Sequence, residues 1–287
     1  MKNILLCTDG SSFAENIYKY GAWFAQKFHA HINVLFVTDI RSQKLVSTDN
    51  LSGSIGLGAS EQLLHELVEL EHQKAKLNNQ RARLILQNAG ATLKAEGITD
   101  FKLTNKTGFL VDCLDEFEKD SDLIVLGKRG EAVDFASGHL GANVDRIVRS
   151  SKKPCLVIPR EFKQISRILV AYDGSPTGKK VLQFLVDSPV FHNLEIHLLT
   201  VTKSNSVTTE MDRLNEAKEQ LERANFEPIC RLLPGETETA IANYISQHNI
   251  NLLLMGTYGH RRIRNLVIGT TTAQLLRSSN IPILLFR

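Results

Sequence analysis

The fold is decided by a stretch that begins with Asn251-Leu-Leu-Leu-Met-Gly-Thr-Tyr-Gly259. A basic loop follows, then Gly269-Thr-Thr-Thr272 and a helical pattern that ends at Ser278. The apolar run from Leu252 to Met255 has the length of a buried parallel strand. Gly256 and Gly259 follow that strand, and the helix begins after Gly269. A helix start after a glycine loop favours an anion, because its first N–H groups are free and its dipole is positive there. The stretch therefore predicts an α/β unit with a phosphate-binding loop.

A simpler interpretation of this stretch remains open. Glycines after a strand often only form a tight turn, and Thr270 is a residue type that caps helices. A short motif acquires meaning from its structural context, which the rest of the chain supplies.

The chain contains an internal repeat with an offset of 164 residues at its start. Asn3-Ile-Leu-Leu-Cys-Thr-Asp-Gly-Ser11 returns as Arg167-Ile-Leu-Val-Ala-Tyr-Asp-Gly-Ser175. Later, Asp122-Leu-Ile-Val-Leu-Gly-Lys-Arg-Gly130 returns as Asn251 to Gly259, and each half closes with a short apolar strand after a proline. Three blocks in the same order predict a duplicated domain, with the halves at 1–160 and 161–287.

Length and composition limit the classes of protein. A chain of 287 residues with 43% hydrophobic and 23% charged residues is typical of a globular protein with about two domains. The net charge of +3 does not favour DNA binding, and no apolar run is long enough for a membrane span. Cys7, Cys113, Cys155 and Cys230 form no zinc pattern, so we expect free thiols, buried at Cys7 and Cys155.

Each half alternates strands and helices, which predicts α/β domains with parallel sheets and right-handed crossovers. The predicted strands are 4–7, 32–37, 101–105, 123–126, 155–158, 168–172, 195–201, 228–232, 252–255 and 283–286, and the predicted helices are 14–28, 61–95, 110–119, 143–150, 179–185, 210–224, 238–248 and 271–278. If the closing strands 155–158 and 283–286 are both sheet edges, their pairing within one chain gives a pseudo-twofold dimer of domains. The sequence does not decide whether two chains associate.

The first half carries an insertion over residues 40–95. Asp9 and Gly127 are 118 positions apart, whereas Asp173 and Gly256 are 83 apart. The added residues comprise a Ser/Gly-rich loop and a long helix with apolar residues at helical spacing, namely Leu63, Leu64, Leu67, Leu70, Leu84 and Leu86. A flexible loop with a solvent-facing helix is the favoured interpretation, and a lid over the first cleft is the alternative.

The glycine spacing in the second half resembles the ATP-binding signature of the universal stress protein family, G-x2-G-x9-G-[ST]. The resemblance covers both halves and implies a tandem pair of Rossmann-like (adenine nucleotide alpha hydrolase-like) domains with five parallel strands each. It also implies that Asp173 and the backbone of Ala171 and Tyr172 contact adenine and ribose. The other residues it implies for the nucleotide are Val201, Met255, Gly256, Gly259, Arg261, Gly269, Thr270 and Thr271. For Val201, plain core packing is an equal alternative, as solvated surface is for Arg261 and Arg262.

The first half departs from the signature. Gly127 and Gly130 match, but ten residues separate Gly130 from Gly141, and Ala142 replaces the hydroxyl residue. Losing one hydrogen bond to a charged group costs about 1.5–3 kcal/mol. We therefore expect Asp9, Gly127, Gly130 and Gly141 to form a degenerate site that binds nucleotide weakly or not at all. Lys128, Arg129 and His139 keep its loop basic, which leaves binding of another anion open.

Function follows from the resemblance as an expectation: a cytoplasmic stress-response protein in which ATP or AMP, with Mg²⁺ accompanying ATP, acts as a switch. No Walker lysine motif and no acidic pair for magnesium are readable near the loop, so an enzyme is not favoured and only weak ATP hydrolysis stays open. The alternative is a protein-interaction module with a vestigial pocket, which would use the sheet edges and the long helix to bind unknown proteins or a second copy.

Overall fold

The computed structural model describes residues 1–39, 57–129, 140–202, 207–257 and 269–287, without the side chains of 57–64 and 142. In chain order its strands are β1 (Asn3–Thr8), β2 (His31–Asp39), β3 (Phe101–Gly108), β4 (Leu123–Gly127), β5 (Cys155–Ile158), β6 (Arg167–Ala171), β7 (Glu195–Thr202), β8 (Ile229–Pro234), β9 (Leu252–Gly256) and β10 (Ile283–Phe286). The helices are α1 (Ala14–Phe28), α2 (Leu57–Ala95), α3 (Leu110–Glu118), α4 (Ala142–Ser150), α5 (Pro176–Val186), α6 (Val207–Arg223), α7 (Thr237–Gln247) and α8 (Thr270–Ser278), with a 3₁₀ turn at Pro189–Phe191.

The strands form one sheet in the order β3-β2-β1-β4-β5-β10-β9-β6-β7-β8. Pairing is parallel within each half, where the order is that of a doubly wound α/β unit. The middle strands β4, β5, β9 and β10 are buried almost throughout, because helices cover both faces of a parallel sheet. The α/β class and the five parallel strands per half are confirmed.

An antiparallel pair of closing strands joins the two halves. Leu156 of β5 lies opposite Leu284 of β10, with Val157 opposite Ile283. The predicted pairing of the two closing strands inside one chain is therefore confirmed. It also covers the edge that each five-stranded sheet would otherwise expose.

Aromatic side chains fill the space beside this joint. Phe191, in the 3₁₀ turn of the second half, lies 6.1 Å from the ring of Trp23 and 5.5 Å from that of Phe28, both on α1. Phe184 of α5 extends the cluster to Phe286 at 5.1 Å. All of these residues belong to one apolar cluster that runs through both halves. The sheet and a shared core thus connect the two repeats.

Among the described side chains of the long insertion helix α2, the buried ones lie in its second part. Ala82, Leu86, Ala89 and Leu93 are buried, whereas Leu70 is 61% and Leu84 is 67% exposed. Of the leucines at helical spacing, Leu86 therefore lies on the packed face, whereas Leu70 and Leu84 face solvent, as the favoured interpretation of a solvent-facing helix allows. Leu67 is half-buried, and the side chains of Leu63 and Leu64 lie outside the described residues, as does the loop at 40–56.

Candidate functional site

The carboxyl ends of β6, β7 and β9 lie side by side in the second half. Ala171, the last residue of β6, pairs with Leu199 of β7 and with Met255 of β9. Met255 is buried, and Ala171 and Val201 are half-buried against the apolar cluster below α7 and α8. The sheet therefore brings three of the sequence-predicted residues to one face of one edge. Val201 packs on the core, and its half-exposed surface leaves contact with a ligand open as well.

Asp173 holds the turn that leads from β6 into α5. Its Oδ1 accepts a hydrogen bond from Ser175 N at 2.9 Å, and Gly174 between them has a φ of 71°. The cap of α5 is Ser175, whose Oγ accepts from Gly178 N at 3.1 Å. Asp173 itself is therefore not the helix cap. Asp173 is half-exposed.

The main chain of Tyr172 is engaged inside the protein. Its N–H donates to the carbonyl of Leu199 at 2.9 Å, and its carbonyl accepts from Thr200 Oγ1 at 3.0 Å. The ring is buried in the core, which raises the pKa of the phenol above its usual value. A ligand at this position would meet a backbone whose donor is already used.

The first turn of α8 has no side-chain cap at its N-cap position. Gly269 occupies the N-cap with an extended ψ of 144° and offers no side-chain acceptor to the first N–H groups, and the turn contains no acidic residue. Gly269 N donates to Thr257 O at 3.3 Å, so this helix end adjoins the end of β9 at Gly256. Free N–H groups and the positive end of a dipole are the physical requirements of an anion site.

The three threonines of that turn have different surroundings. Thr270 is exposed. Thr271 Oγ1 lies 3.4 Å from Glu238 Oε2 on α7, and Thr272 is buried with its Oγ1 3.4 Å from Thr257 O. Glu238 was not predicted, because 33 residues separate it from Thr271 and only the packing of α7 on α8 joins them. A carboxylate here competes with a phosphate for the same hydroxyl.

The matching turn in the first half differs in charge. Gly141 likewise caps α4 without a side-chain acceptor, but Asp145 stands in the first turn and pairs with Arg149 at 2.6 Å. The same position in α8 is Ala273. A negative charge at a helix N-terminus already interacts with the dipole that would attract an anion.

The Asp9 turn of the first half repeats the Asp173 turn. Asp9 Oδ1 accepts from Ser11 N at 2.9 Å, and Gly10 has a φ of 76°. The covering residues differ. A Cβ added to Gly10 would lie 2.6 Å from Ile85 of α2, whereas one added to Gly174 would lie 2.9 Å from Cδ of Arg213 on α6. A cationic side chain therefore lies over the turn in the second half and an apolar one in the first, a contrast that the sequence did not reveal.

Lys128 points away from the first cleft, contrary to the expectation that it keeps that loop basic. Its ammonium donates to the carbonyls of Arg277 and Ser279 in the second half. Burial, together with the nearby charge of Arg129, lowers the pKa of Lys128 to about 8. Lys128 is therefore not available to an anion in the first half.

Several predicted residues lie outside the described part of the chain, namely Gly130, His139, Gly259, Arg261 and Arg262. Among the described residues no group of three or more His, Cys, Asp or Glu side chains could hold a metal ion. Within the same ranges no helix is both long and apolar enough to cross a membrane. The four cysteines are free, and Cys7 and Cys155 are buried as expected.

Comparison with known proteins gives a consistent result. A profile described as "Universal stress protein family" matches residues 1–159 and again residues 164–287. A universal stress protein from Synechocystis sp. is 54% identical over 287 residues, which is 100% of both chains. The crystal structure of a universal stress protein from Archaeoglobus fulgidus has a TM-score of 0.72 at 20% identity and covers 99% of this chain and 98% of its own. A putative universal stress protein from Pseudomonas aeruginosa has a TM-score of 0.64 at 14% identity, with 100% and 93% covered.

Proposed function

The chain belongs to the universal stress protein family, and we propose that its second half binds ATP or AMP at the carboxyl edge of β6, β7 and β9 as a regulatory switch. The observation that carries this proposal is the first turn of α8, whose N-cap is a glycine, whose own residues include no carboxylate and whose start is hydrogen-bonded to Thr257 after β9. In this arrangement the N–H groups that follow Gly269 hold the phosphates, with the hydroxyls of Thr270 and Thr271. The half-exposed carboxylate of Asp173 accepts from the ribose, and Ala171, Val201 and Met255 flank the base.

The proposal includes the roles of the remaining motif residues. Gly256 and Gly259 lie along the ribose and phosphates, and Arg261 adds positive charge. The first half binds nucleotide weakly or not at all at its degenerate site, which comprises Asp9, Gly127, Gly130 and Gly141. Two observations support this part of the proposal: Asp145 lies at the start of α4, and Lys128 is bonded to the second half. The proposed domains are 1–160 and 161–287, and the proposed location is the cytoplasm.

Magnesium enters this proposal with ATP. The described residues contain no ready-made cluster of metal ligands, so the ion is held mainly by phosphate oxygens and water, as is usual for Mg²⁺. The carboxylate of Glu238 contacts the turn at Thr271, and it is the residue that would hold the ion from the protein side. No residue of the described site is assigned a catalytic role, and slow hydrolysis of ATP is left to experiment.

An experiment on Ala273 tests the anion site directly. Replacing Ala273 by Asp copies the charge of Asp145 into α8, and we expect ATP to bind about 5-fold more weakly, because about 1 kcal/mol of favourable dipole interaction is offset. Ala273→Asn has the same size without the charge and is the matched control. Isothermal titration of the full-length variants with ATP measures the difference. Equal affinity of the Asp and Asn variants, or no ATP binding by the unmodified protein at millimolar nucleotide, contradicts the proposal.

The second candidate is an interaction module with a vestigial pocket, favoured by the contact of Glu238 with Thr271. If that carboxylate only repels phosphate, Glu238→Gln tightens binding of magnesium-free ATP about 5-fold. Glu236→Gln removes the same negative charge at an exposed position two residues away, and it is the control. Titrations with and without Mg²⁺ separate the outcomes: weaker binding of Mg-ATP by Glu238→Gln identifies a magnesium contact, whereas no binding by any variant supports the vestigial pocket.

A further inference from the structure

Lys128 crosses from the first half of the chain to the second. It follows Gly127 directly, and only 9% of its surface is exposed. Its Nζ donates to the carbonyl oxygen of Arg277 at 2.5 Å and to that of Ser279 at 3.0 Å. These carbonyls lie at the C-terminal end of α8, where the last carbonyls of a helix have no partner within the helix. The ammonium therefore satisfies these acceptors at the negative end of the helix dipole.

The hydrogen bonds that the structure describes at the two ends of α8 differ in length and in the charge of the donor. At the first turn, the contacts to Thr257 O from Gly269 N and Thr272 Oγ1 are long, at 3.3 and 3.4 Å. At the last turn, the contacts from Lys128 are shorter and carry a full charge. Because a nine-residue helix is a rigid rod of about 13 Å, a shift of its last turn also moves its first turn.

The residue type at this motif position differs between the repeats. The second half has Thr257 where the first has Lys128, and Thr257 Oγ1 donates within its own half to Phe286 O at 3.1 Å. The contact of Lys128 with α8 is thus a feature of the first half alone. A reciprocal contact comes from another residue: the guanidinium of Arg287 donates to the carbonyl of Arg149 at the end of α4.

We propose that Lys128 is a positioning residue for the second-half nucleotide site, which holds the far end of α8 so that its first turn stays in register with the end of β9. This inference rests on the proposed function, because it assigns the first turn of α8 to phosphate. In this proposal, a residue of the degenerate glycine motif in the first half stabilises the nucleotide-binding motif in the second half. The interaction carries no chemistry of its own and acts through the placement of Gly269 and Thr271.

The experiment compares three full-length variants with the unmodified protein. Lys128→Met keeps the side-chain stem and removes the ammonium, Lys128→Arg restores the charge, and Lys180→Met is the matched control. Lys180 is exposed and donates to the main-chain oxygen of Arg287 at 2.7 Å, so its replacement removes a lysine contact with the main chain away from α8. The measurements are the dissociation constant for ATP and the hydrogen exchange of α8 amides without nucleotide.

We expect Lys128→Met to bind ATP about 5-fold more weakly and to exchange α8 amides faster, with recovery in Lys128→Arg and no change in Lys180→Met. Unchanged α8 exchange in Lys128→Met overturns the inference, whatever the affinity. Faster exchange with unchanged affinity also overturns it, since α8 would be held without effect on the site. If the unmodified protein binds no ATP, the proposed function fails and with it the nucleotide part of the inference. If Lys128→Met does not fold, the same measurements are made on Lys128→Gln, whose side chain is a shorter, neutral donor.

Discussion

An added Cβ at Gly256 would lie 2.4 Å from Oγ1 and 2.9 Å from Cβ of Thr177, on the first turn of α5. The motif glycine is therefore required by the packing of α5 on β9, independently of a ligand. The signature in the sequence identified the position, but it could not distinguish close approach of a nucleotide from close approach of Thr177. Asp173 is a similar case, because its turn geometry is complete without a ligand.

Gly256→Ala tests this packing role. We expect the free energy of unfolding to fall by about 1–3 kcal/mol, because the new methyl group overlaps Thr177. Thr177→Gly removes both clashing atoms. Gly256→Ala should therefore cost much less stability when it is added to Thr177→Gly than when it is added to the unmodified protein. Urea unfolding of the four proteins completes the cycle, and additive losses would show that Thr177 is not the obstacle.

At the scale of elements, the sequence predicted each strand and α-helix that the structure describes to within a few residues, because alternating apolar runs and helical periodicity are strong in both repeats. It missed the 3₁₀ turn at Pro189–Phe191, whose three residues are too short for periodicity. It also did not specify which face of α2 packs. The buried positions there include Ala82 and Ala89, which a search for large apolar residues does not weigh, and the leucines at 70 and 84 face solvent.

The two faces of α2 give a matched pair of variants. Leu86 is 8% exposed and Leu84 is 67% exposed, on the same helix two residues apart. Leu86→Ala should lower the free energy of unfolding by about 2–5 kcal/mol through the cavity it leaves. Leu84→Ala should change it by about 0.5 kcal/mol or less. Denaturant titrations measure both, and a larger loss at Leu84 would mean that this face of α2 is covered in solution.

For the whole molecule, the apolar closing strands allowed the β5–β10 pairing to be predicted, since each strand ends a parallel sheet and would otherwise be an open edge. The aromatic contact between the halves could not be predicted in the same way. Trp23 and Phe191 are 168 positions apart, and no repeat or motif relates them. Their contact follows only from the rotation that the antiparallel strand pair imposes on the two sheets.

Phe191→Ala tests whether the two halves unfold as one unit. The ring of Phe191 is fully buried against Trp23, Phe24 and Phe28 of the first half. Its removal should lower the free energy of unfolding by about 3–5 kcal/mol. Trp23 is the single tryptophan and stacks on Phe191, so its fluorescence reports on the first half and on its contact with the second, while circular dichroism reports on helices of both. A shared core and a continuous sheet predict coincident transitions by the two probes, each displaced equally in the variant.

Phe109→Ala, at a position 40% exposed in the first half, is the control and should displace both transitions less. Separate transitions in the unmodified protein, or a displaced circular-dichroism transition with the Trp23 transition unmoved, would mean that the halves fold independently and that the ten-stranded sheet does not couple them.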